Sequence, residues 1–211
     1  MPDIQHYEEM FDYLRGDRPP TVERSGLLVF GRKDPLLGQA IAGLCESQFA
    51  SFVVVSGGVG KDSGDLKIPE AEYVVQTAEQ TAAKKGITLA PIFTDTQARN
   101  GAENVVNGLT IMRRGHLDYG NGLTTLAHAT SARRLNAMTE QALVESGEST
   151  DRLFSLPTEY HFDPTSAADQ AEARAELLRL AEWPAQYGLP SQLDLPTHLV
   201  DFAREQNDVS R

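Results

Sequence analysis

Short apolar runs alternate along this chain with longer amphipathic stretches. The runs have the length and the Val, Leu, Ile and Phe content of buried β-strands. They lie at residues 26–30, 52–55, 89–93, 123–127 and, more weakly, 153–156. Near-continuous apolar strands of this kind are typical of parallel sheets that are covered on both faces.

The stretches between the runs have helical spacing. Residues 36–47, 70–85, 102–113 and 131–145 carry apolar positions three and four apart, as does an N-terminal stretch at 4–14. Lys85-Gly86 and Arg114-Gly115 end two of these helices in the expected way, with a cation in the last turn and a glycine after it. After residue 163, a helix is predicted over 167–183, then a segment with Pro184, Pro190 and Pro196, and a final helical turn or two at 199–204.

This alternation predicts an α/β fold. Parallel strands need crossover connections, and the helices in those connections must cover both faces of the sheet. We expect a three-layer, Rossmann-like sandwich whose five-stranded, mainly parallel sheet has the order 3-2-1-4-5. One helix precedes this core, which covers about residues 25–163, and a helical extension follows at 164–211.

The chain is predicted to form one domain over residues 1–211, because its length suits a single sizeable core. The C-terminal tail has too little apolar material for a core of its own. We therefore expect the tail to pack on the main domain or on a second subunit, which makes it a candidate surface for a homo-oligomer.

The acidic composition limits the classes of partner. A net charge of −11 repels nucleic acids and anionic membranes, so neither is a predicted partner. No apolar run approaches the ~20 residues that cross a bilayer, and the first residues lack the pattern of a secretory signal. The expected location is the cytoplasm. The single cysteine, Cys45, excludes an intramolecular disulfide and is predicted to be a small buried helix residue.

Four strand-to-helix joints collect basic residues on this acidic background, at 31–37, 52–72, 94–103 and 127–134. The basic residues in or beside them are Arg32, Lys33, Lys61, Lys67, Arg99, Arg133 and Arg134. One interpretation is a composite, electropositive site for a small anionic molecule. The alternative is local charge balance, because acidic residues are interleaved with the basic ones.

The glycine-rich loop at 56–63 invites comparison with a phosphate-binding P-loop. The comparison fails, because Val55 stands at the first glycine position and Asp62 replaces the Ser or Thr that would bind magnesium. What remains is weaker: Gly57 and Gly58 permit close approach of a ligand, and Ser56 and Lys61 can donate hydrogen bonds to an anion. A purely structural loop is the alternative.

Two further joints offer polar side chains to the same region. Asn100 and Glu103 have the spacing of a helix N-cap pair, whereas Asn104 has no capping role and is expected to face a ligand. His128 ends the fourth strand, where open parallel sheets place ligands, and can act as a general acid or base. A packed histidine is the alternative. No metal site is predicted.

Four blocks in order resemble the YdcF/SanA-type proteins, a bacterial group with a Rossmann-like domain. LLVFG, which ends at Gly31, is similar to the opening strand of that family, and VVVSGG at 53–58 with the helix start Pro69-Glu70-Ala71 is similar to its second block. Residues 100–104 resemble an Asn-Thr-x-Glu-Asn helix start. The strand before His128, together with Ser131 and Arg134, resembles a Thr-Ser-x-x-His-x-x-Arg block, and the likeness covers about residues 27–157.

The resemblance has departures. Gly101 replaces the usual threonine, and Ser131 stands where the family histidine is expected while His128 occupies its serine position. The resemblance implies a small-molecule site at the strand ends, with S-adenosylmethionine or another nucleotide-like compound as candidate ligand.

The sequence therefore predicts a small-molecule site at the C-terminal ends of the strands. The expected ligand-binding residues are Gly31, Arg32, Ser56, Gly57, Gly58, Lys61, Glu70, Glu103, Asn104, Ser131 and Arg134, with His128 as the candidate catalytic residue. Two functions stay open at this point. One is a small-molecule-binding protein that acts as a transferase or a hydrolase, and the other is a non-catalytic module that senses a metabolite or binds a protein.

Overall fold

The computed structural model describes residues 4–16, 18–60, 63–187 and 194–209. The strands are β1 (Ser25–Phe30), β2 (Ala50–Ser56), β3 (Ile92–Asp95), β4 (Leu123–Ala127) and β5 (Leu153–Pro157). The helices are α1 (Ile4–Arg15), α2 (Pro35–Glu46), α3 (Glu70–Lys85), α4 (Gly101–Arg114), α5 (Ala132–Glu145), α6 (Ala167–Tyr187) and α7 (Thr197–Val209). A single 3₁₀ turn, Ala129–Ser131, joins β4 to α5.

The five strands form a parallel sheet in the order β3-β2-β1-β4-β5, which confirms the predicted order. Val29 of β1 pairs with Val55 on one side and with Leu126 of β4 on the other. The chain therefore adds β2 and β3 on one side of β1 and then adds β4 and β5 on its other side. The ends of β1 and β4 diverge at this reversal, where parallel sheets of this kind leave a crevice.

Helices cover both faces of the sheet, as a three-layer sandwich requires. Leu27 and Val29 point from β1 into an apolar cluster with α2 and α3. Leu28 and Phe30, the alternate residues of the same strand, point into a second cluster with α4 and α5. Because side chains alternate along a strand, one six-residue run supplies both cores. Cys45 is a buried residue of α2, as predicted.

The C-terminal helices share a third apolar cluster with α1. Leu177 and Leu180 of α6 and Val200 of α7 pack with Met10 and Leu14 of α1, all of them almost completely buried. The apolar residues of the tail thus share one core with the N-terminal helix. Packing on the rest of the same chain is therefore one of the two arrangements that the sequence predicted.

Three predicted boundaries differ from the structure by three residues or more. The third strand begins at Ile92 rather than at residue 89, because Pro91 cannot donate a ladder hydrogen bond; its carbonyl accepts from Val53 N instead. Helix α6 continues through Pro184 to Tyr187. Helix α7 spans Thr197–Val209, more than twice the predicted length.

The described part of the chain contains no helix that combines the length and the apolar character needed to span a membrane.

The packing of α6 on α1 generates a stability prediction. Leu177→Ala removes a side chain with no solvent exposure from this third cluster, so the free energy of unfolding should fall by about 2–5 kcal/mol. Leu178→Ala, one residue along the same helix and only partly buried, should cost clearly less. Urea unfolding of the three proteins measures both values, and equal losses would contradict the described orientation of α6.

Candidate functional site

A cavity of about 710 Å³ lies where β1 and β4 end, at the reversal of the sheet order. The residue after β1 and the residue after β4 both line it, together with the first turns of α4 and α5 and one face of α6. The predicted site residues that line it are Gly31, Arg32, Glu70, Asn104, His128, Ser131 and Arg134. Seven predicted residues from four segments of the chain thus line one hollow.

The other predicted site residues take structural positions outside the cavity lining, namely Ser56, Gly57, Gly58 and Glu103. Lys61 lies outside the described residues. The predicted site is thus centred on the ends of β1 and β4 rather than on the glycine-rich loop.

The glycine loop packs against its own neighbours instead of presenting free amides. The Gly57 amide donates to the carbonyl of Asp95 and the Gly58 amide to that of Ala98. A side chain at Gly57 would lie 2.8 Å from Cα of Gly31, so glycine is required for the close approach of two loops. The amides of Gly57 and Gly58 are therefore both used within the protein, so neither offers a free backbone donor to the anion that these glycines were expected to approach.

Ser56 belongs to the same structural network. Its hydroxyl donates to a carboxylate oxygen of Asp95 at 2.7 Å, and Asn107 donates to the same oxygen at 3.1 Å. Burial by itself raises the pKa of Asp95, but these bonds and two from backbone amides outweigh it, and the pKa lies below its ordinary value. Ser56 therefore fixes the end of β2 against β3 rather than offering its hydroxyl to a ligand.

Glu103 caps helix α4. Asn100 Oδ1 accepts from the Glu103 amide at 3.0 Å, and Glu103 Oε2 accepts from the Arg99 amide at 2.7 Å. This is the capping pair that the spacing predicted, and it points Glu103 away from the cavity.

Asn104, the next residue of α4, behaves differently. Its side chain lines the cavity and is only 8% exposed, and no described group donates a hydrogen bond to its Oδ1. A buried oxygen without a donor costs free energy, on the order of 1–3 kcal/mol. Asn104 thus places in the cavity a side-chain oxygen that no described residue binds.

Helix α6 supplies a wall of the cavity that the sequence analysis missed. Arg32 donates from both terminal nitrogens to the two carboxylate oxygens of Glu172, each at 2.8 Å. Arg134 makes a second two-bond contact with Glu176, at 2.6 and 3.2 Å. Two arginines from the strand-end joints therefore meet two glutamates that are one helical turn apart.

A spacing signal for this wall was present in the sequence. Glu172, Glu176 and Arg179 follow each other at intervals of four and three, so they share one face of α6. Leu177 and Leu180 lie on another face, in the core with α1. What the sequence could not indicate was that this charged face meets the arginines rather than water.

The basic residues that were predicted to form one cluster lie in three different places. Arg32, Arg99 and Arg134 line the cavity, joined by Arg179 of α6. Lys33 pairs instead with Asp65 at the surface. Arg133 points to α1, where its guanidinium lies 4.1 Å from the centre of the Tyr13 ring. The hollow therefore collects arginines as expected, although carboxylates of α6 neutralise part of their charge.

His128 sits inside this network. The ring is 4% exposed, its Nδ1 lies 2.9 Å from Thr130 Oγ1 and 3.6 Å from Glu172 Oε1, and Thr130 donates to the same glutamate. Burial lowers the pKa of His128, and the positive charge of Arg32 lowers it further, while Glu172 opposes both with a smaller effect. The imidazole is thus a neutral base at the floor of the cavity.

The Arg32–Glu172 pair is ionised. Burial by itself raises the pKa of Glu172, but the hydrogen bonds and charge of Arg32 outweigh it and hold this pKa below the usual range. Burial likewise opposes the charge of Arg32, and Glu172 more than compensates, so the pKa of the guanidinium is raised. Both groups are about one-third exposed, at 36% and 30%, so a polar ligand can reach them from the cavity.

Two remaining predicted residues line the cavity with partners already in place. Glu70 accepts from the Ser63 hydroxyl at 2.9 Å, and that hydroxyl accepts in turn from the Gly60 amide. Ser131 is the N-cap residue of α5, but its side chain does not cap the helix, since its hydroxyl donates to the His128 carbonyl. Among the residues described, no group of three His, Cys, Asp or Glu is arranged to hold a metal ion.

No family model matches the chain, and no curated protein matches it. Among solved structures, it is similar to the TrmH/SpoU tRNA modifying enzyme of A. aeolicus, with 16% sequence identity, a TM-score of 0.29 and coverage of 96% of each chain. A similarity of that degree carries no argument about ligand or reaction. The fold and the cavity by themselves define the class, a Rossmann-like α/β protein with an arginine-lined hollow at its switch point.

The lowered pKa of His128 generates a pH prediction. The unfolded chain takes up this proton near pH 6.5, whereas the folded protein does so only at lower pH. Neutral His128 therefore makes its full contribution to the free energy of unfolding above about pH 6.5. That contribution is lost as the pH falls through the pKa of His128 in the folded protein. Urea unfolding at pH 7 and pH 5 should show a smaller pH-dependent loss for His128→Gln than for wild type. Equal losses would contradict this environment.

Proposed function

We propose that the chain is a protein of the YdcF/SanA type that binds a small anionic or nucleotide-like ligand in the cavity at the ends of β1 and β4. S-adenosylmethionine is one candidate, chosen because of the sequence resemblance. In this proposal the protein works in the cytoplasm and acts on a small molecule rather than on a nucleic acid, in keeping with its net charge of −11.

One observation carries the proposal. On a strongly acidic protein, Arg32, Arg99, Arg134 and Arg179 converge on one hollow at the sheet reversal. Guanidinium groups bind carboxylates and phosphates through two parallel hydrogen bonds, and open parallel sheets bind ligands at this edge. Asn104 Oδ1, a buried acceptor to which no described residue donates, lines the same hollow, which suits a ligand that also carries an N–H or O–H group.

Two functions share this site. In the first, the protein is a transferase or a hydrolase in which neutral His128 accepts a proton from the bound molecule. In the second, it is a non-catalytic module that senses a metabolite or binds a protein. The burial of His128, 4% exposed and in contact with Thr130, favours the second, because a base must reach the proton that it removes.

Arginine substitution tests the binding proposal. A thermal-shift screen of nucleotides, S-adenosylmethionine and phosphorylated metabolites should find a compound that raises the melting temperature. Arg32→Gln should weaken its binding at least about ten-fold, because a charge-assisted pair of hydrogen bonds is lost.

The chain offers a matched control for that experiment. Arg113 pairs with Glu148 at the opposite end of the strands, and the exposed fractions of the two side chains, 39% and 29%, nearly equal those of Arg32 and Glu172. Arg113→Gln should therefore leave ligand affinity unchanged. Equal weakening by both substitutions, or by neither, would show that the ligand does not bind beside Arg32.

Substitution of His128 separates the enzyme from the binding module. If the compound found in the screen is turned over, His128→Gln should lower kcat by about 10²-fold or more, as loss of a general base does. The same variant should retain most of the thermal shift, because the arginines remain. Unchanged turnover in His128→Gln would exclude His128 as the catalytic residue.

A further inference from the structure

The two glutamates of α6 occupy the positions that an anionic ligand would take. Glu172 receives both terminal nitrogens of Arg32, and Glu176 receives two nitrogens of Arg134. This two-bond geometry is the one by which arginine holds a bound carboxylate or phosphate. A ligand that enters the cavity and uses the same guanidinium groups must therefore compete with carboxylates of the protein itself.

We propose that Glu172 and Glu176 are internal substitutes for two anionic groups of the ligand, so that the ligand is a compound with two such groups about one helical turn apart. This inference rests on the proposed function. Residues four apart on a helix have Cβ atoms about 5–6 Å from each other. The spacing of the two glutamates thus describes the spacing of the groups that replace them.

The exposure of the pairs gives the order of replacement. The Arg32–Glu172 pair is about one-third exposed, whereas Arg134 and Glu176 are 10% and 4% exposed. The first anionic group therefore displaces Glu172, which water already reaches. The second then replaces Glu176 at Arg134, deeper in the cavity, while Glu176 keeps its hydrogen bond from Arg179 at 2.6 Å.

The apolar face of α6 explains why the substitution is reversible. Leu177 and Leu180 hold the helix on α1 in the third cluster, so the backbone can stay in place while the glutamate side chains turn away. Ala171 and Ala175 are small and exposed on the cavity side of the same helix. They leave room beside the glutamates for an incoming group.

The test uses inorganic triphosphate as the probe and inorganic phosphate as the single-group comparison. Glu172→Gln removes the competing charge, so it should bind triphosphate at least ten-fold more tightly than wild type in calorimetry. Glu172→Asp keeps the charge but withdraws the carboxylate from Arg32, and it should also bind more tightly than wild type. Glu182→Gln, an exposed change of the same kind on α6, controls for net charge and should bind as wild type does.

The outcomes separate this inference from the proposed function. If wild type binds triphosphate and both Glu172 variants bind equally or more weakly, the inference is overturned while the anion site stands. If no protein binds either anion, the anion site fails and the inference with it. Should Glu172→Gln not fold, Glu172→Asp decides the result alone. Triphosphate affinity no greater than that of phosphate in the folded variants would overturn the two-group spacing.

Discussion

Strands β1 and β4 lie side by side although five other elements separate them in sequence, and the location of the site follows from this pairing. The chain adds β2 and β3 on one side of β1 before it returns to add β4 and β5 on the other. The loops after β1 and β4 consequently leave the sheet in opposite directions. Arg32 follows one of these strands and His128 the other, so the geometry of the sheet brings them to one hollow.

Charge pairing with α6 stabilises the arginines that the sheet topology brings to the cavity. Arginines gathered at the ends of several strands would repel each other in a partly buried cavity, and the glutamates of α6 offset that repulsion. The same pairs join α6 to the loop after β1 and to α5. Breaking a buried pair by removing one partner leaves an uncompensated charge, which is strongly destabilising. The groups suited to binding an anion thus also contribute to holding the protein together.

Local signals in the sequence were sufficient for the fold. The alternation of strands and helices, the N-terminal helix and the capping pair of Asn100 and Glu103 follow from periodicity and residue type, and all agree with the structure. The strand order, which was expected of a Rossmann-like fold rather than indicated by a local signal, agrees as well. The gathering of Arg32 and Arg134 in one hollow follows from the parallel topology. Two features could not be predicted from the sequence, because they depend on tertiary partners. One is that the amides of Gly57 and Gly58 donate to the carbonyls of Asp95 and Ala98. The other is the contact of Glu172 with Arg32, which joins residues 140 positions apart.

The shared cluster of α1 with α6 and α7 has a consequence for biosynthesis. Helix α1 is synthesised before the sheet, yet the apolar residues that cover Met10 and Leu14 belong to helices that are synthesised after the sheet. All five strands are therefore available for pairing before α1 has the partners for its own apolar side. The arginine-lined hollow gains its α6 wall only after the strands that form its base have been made.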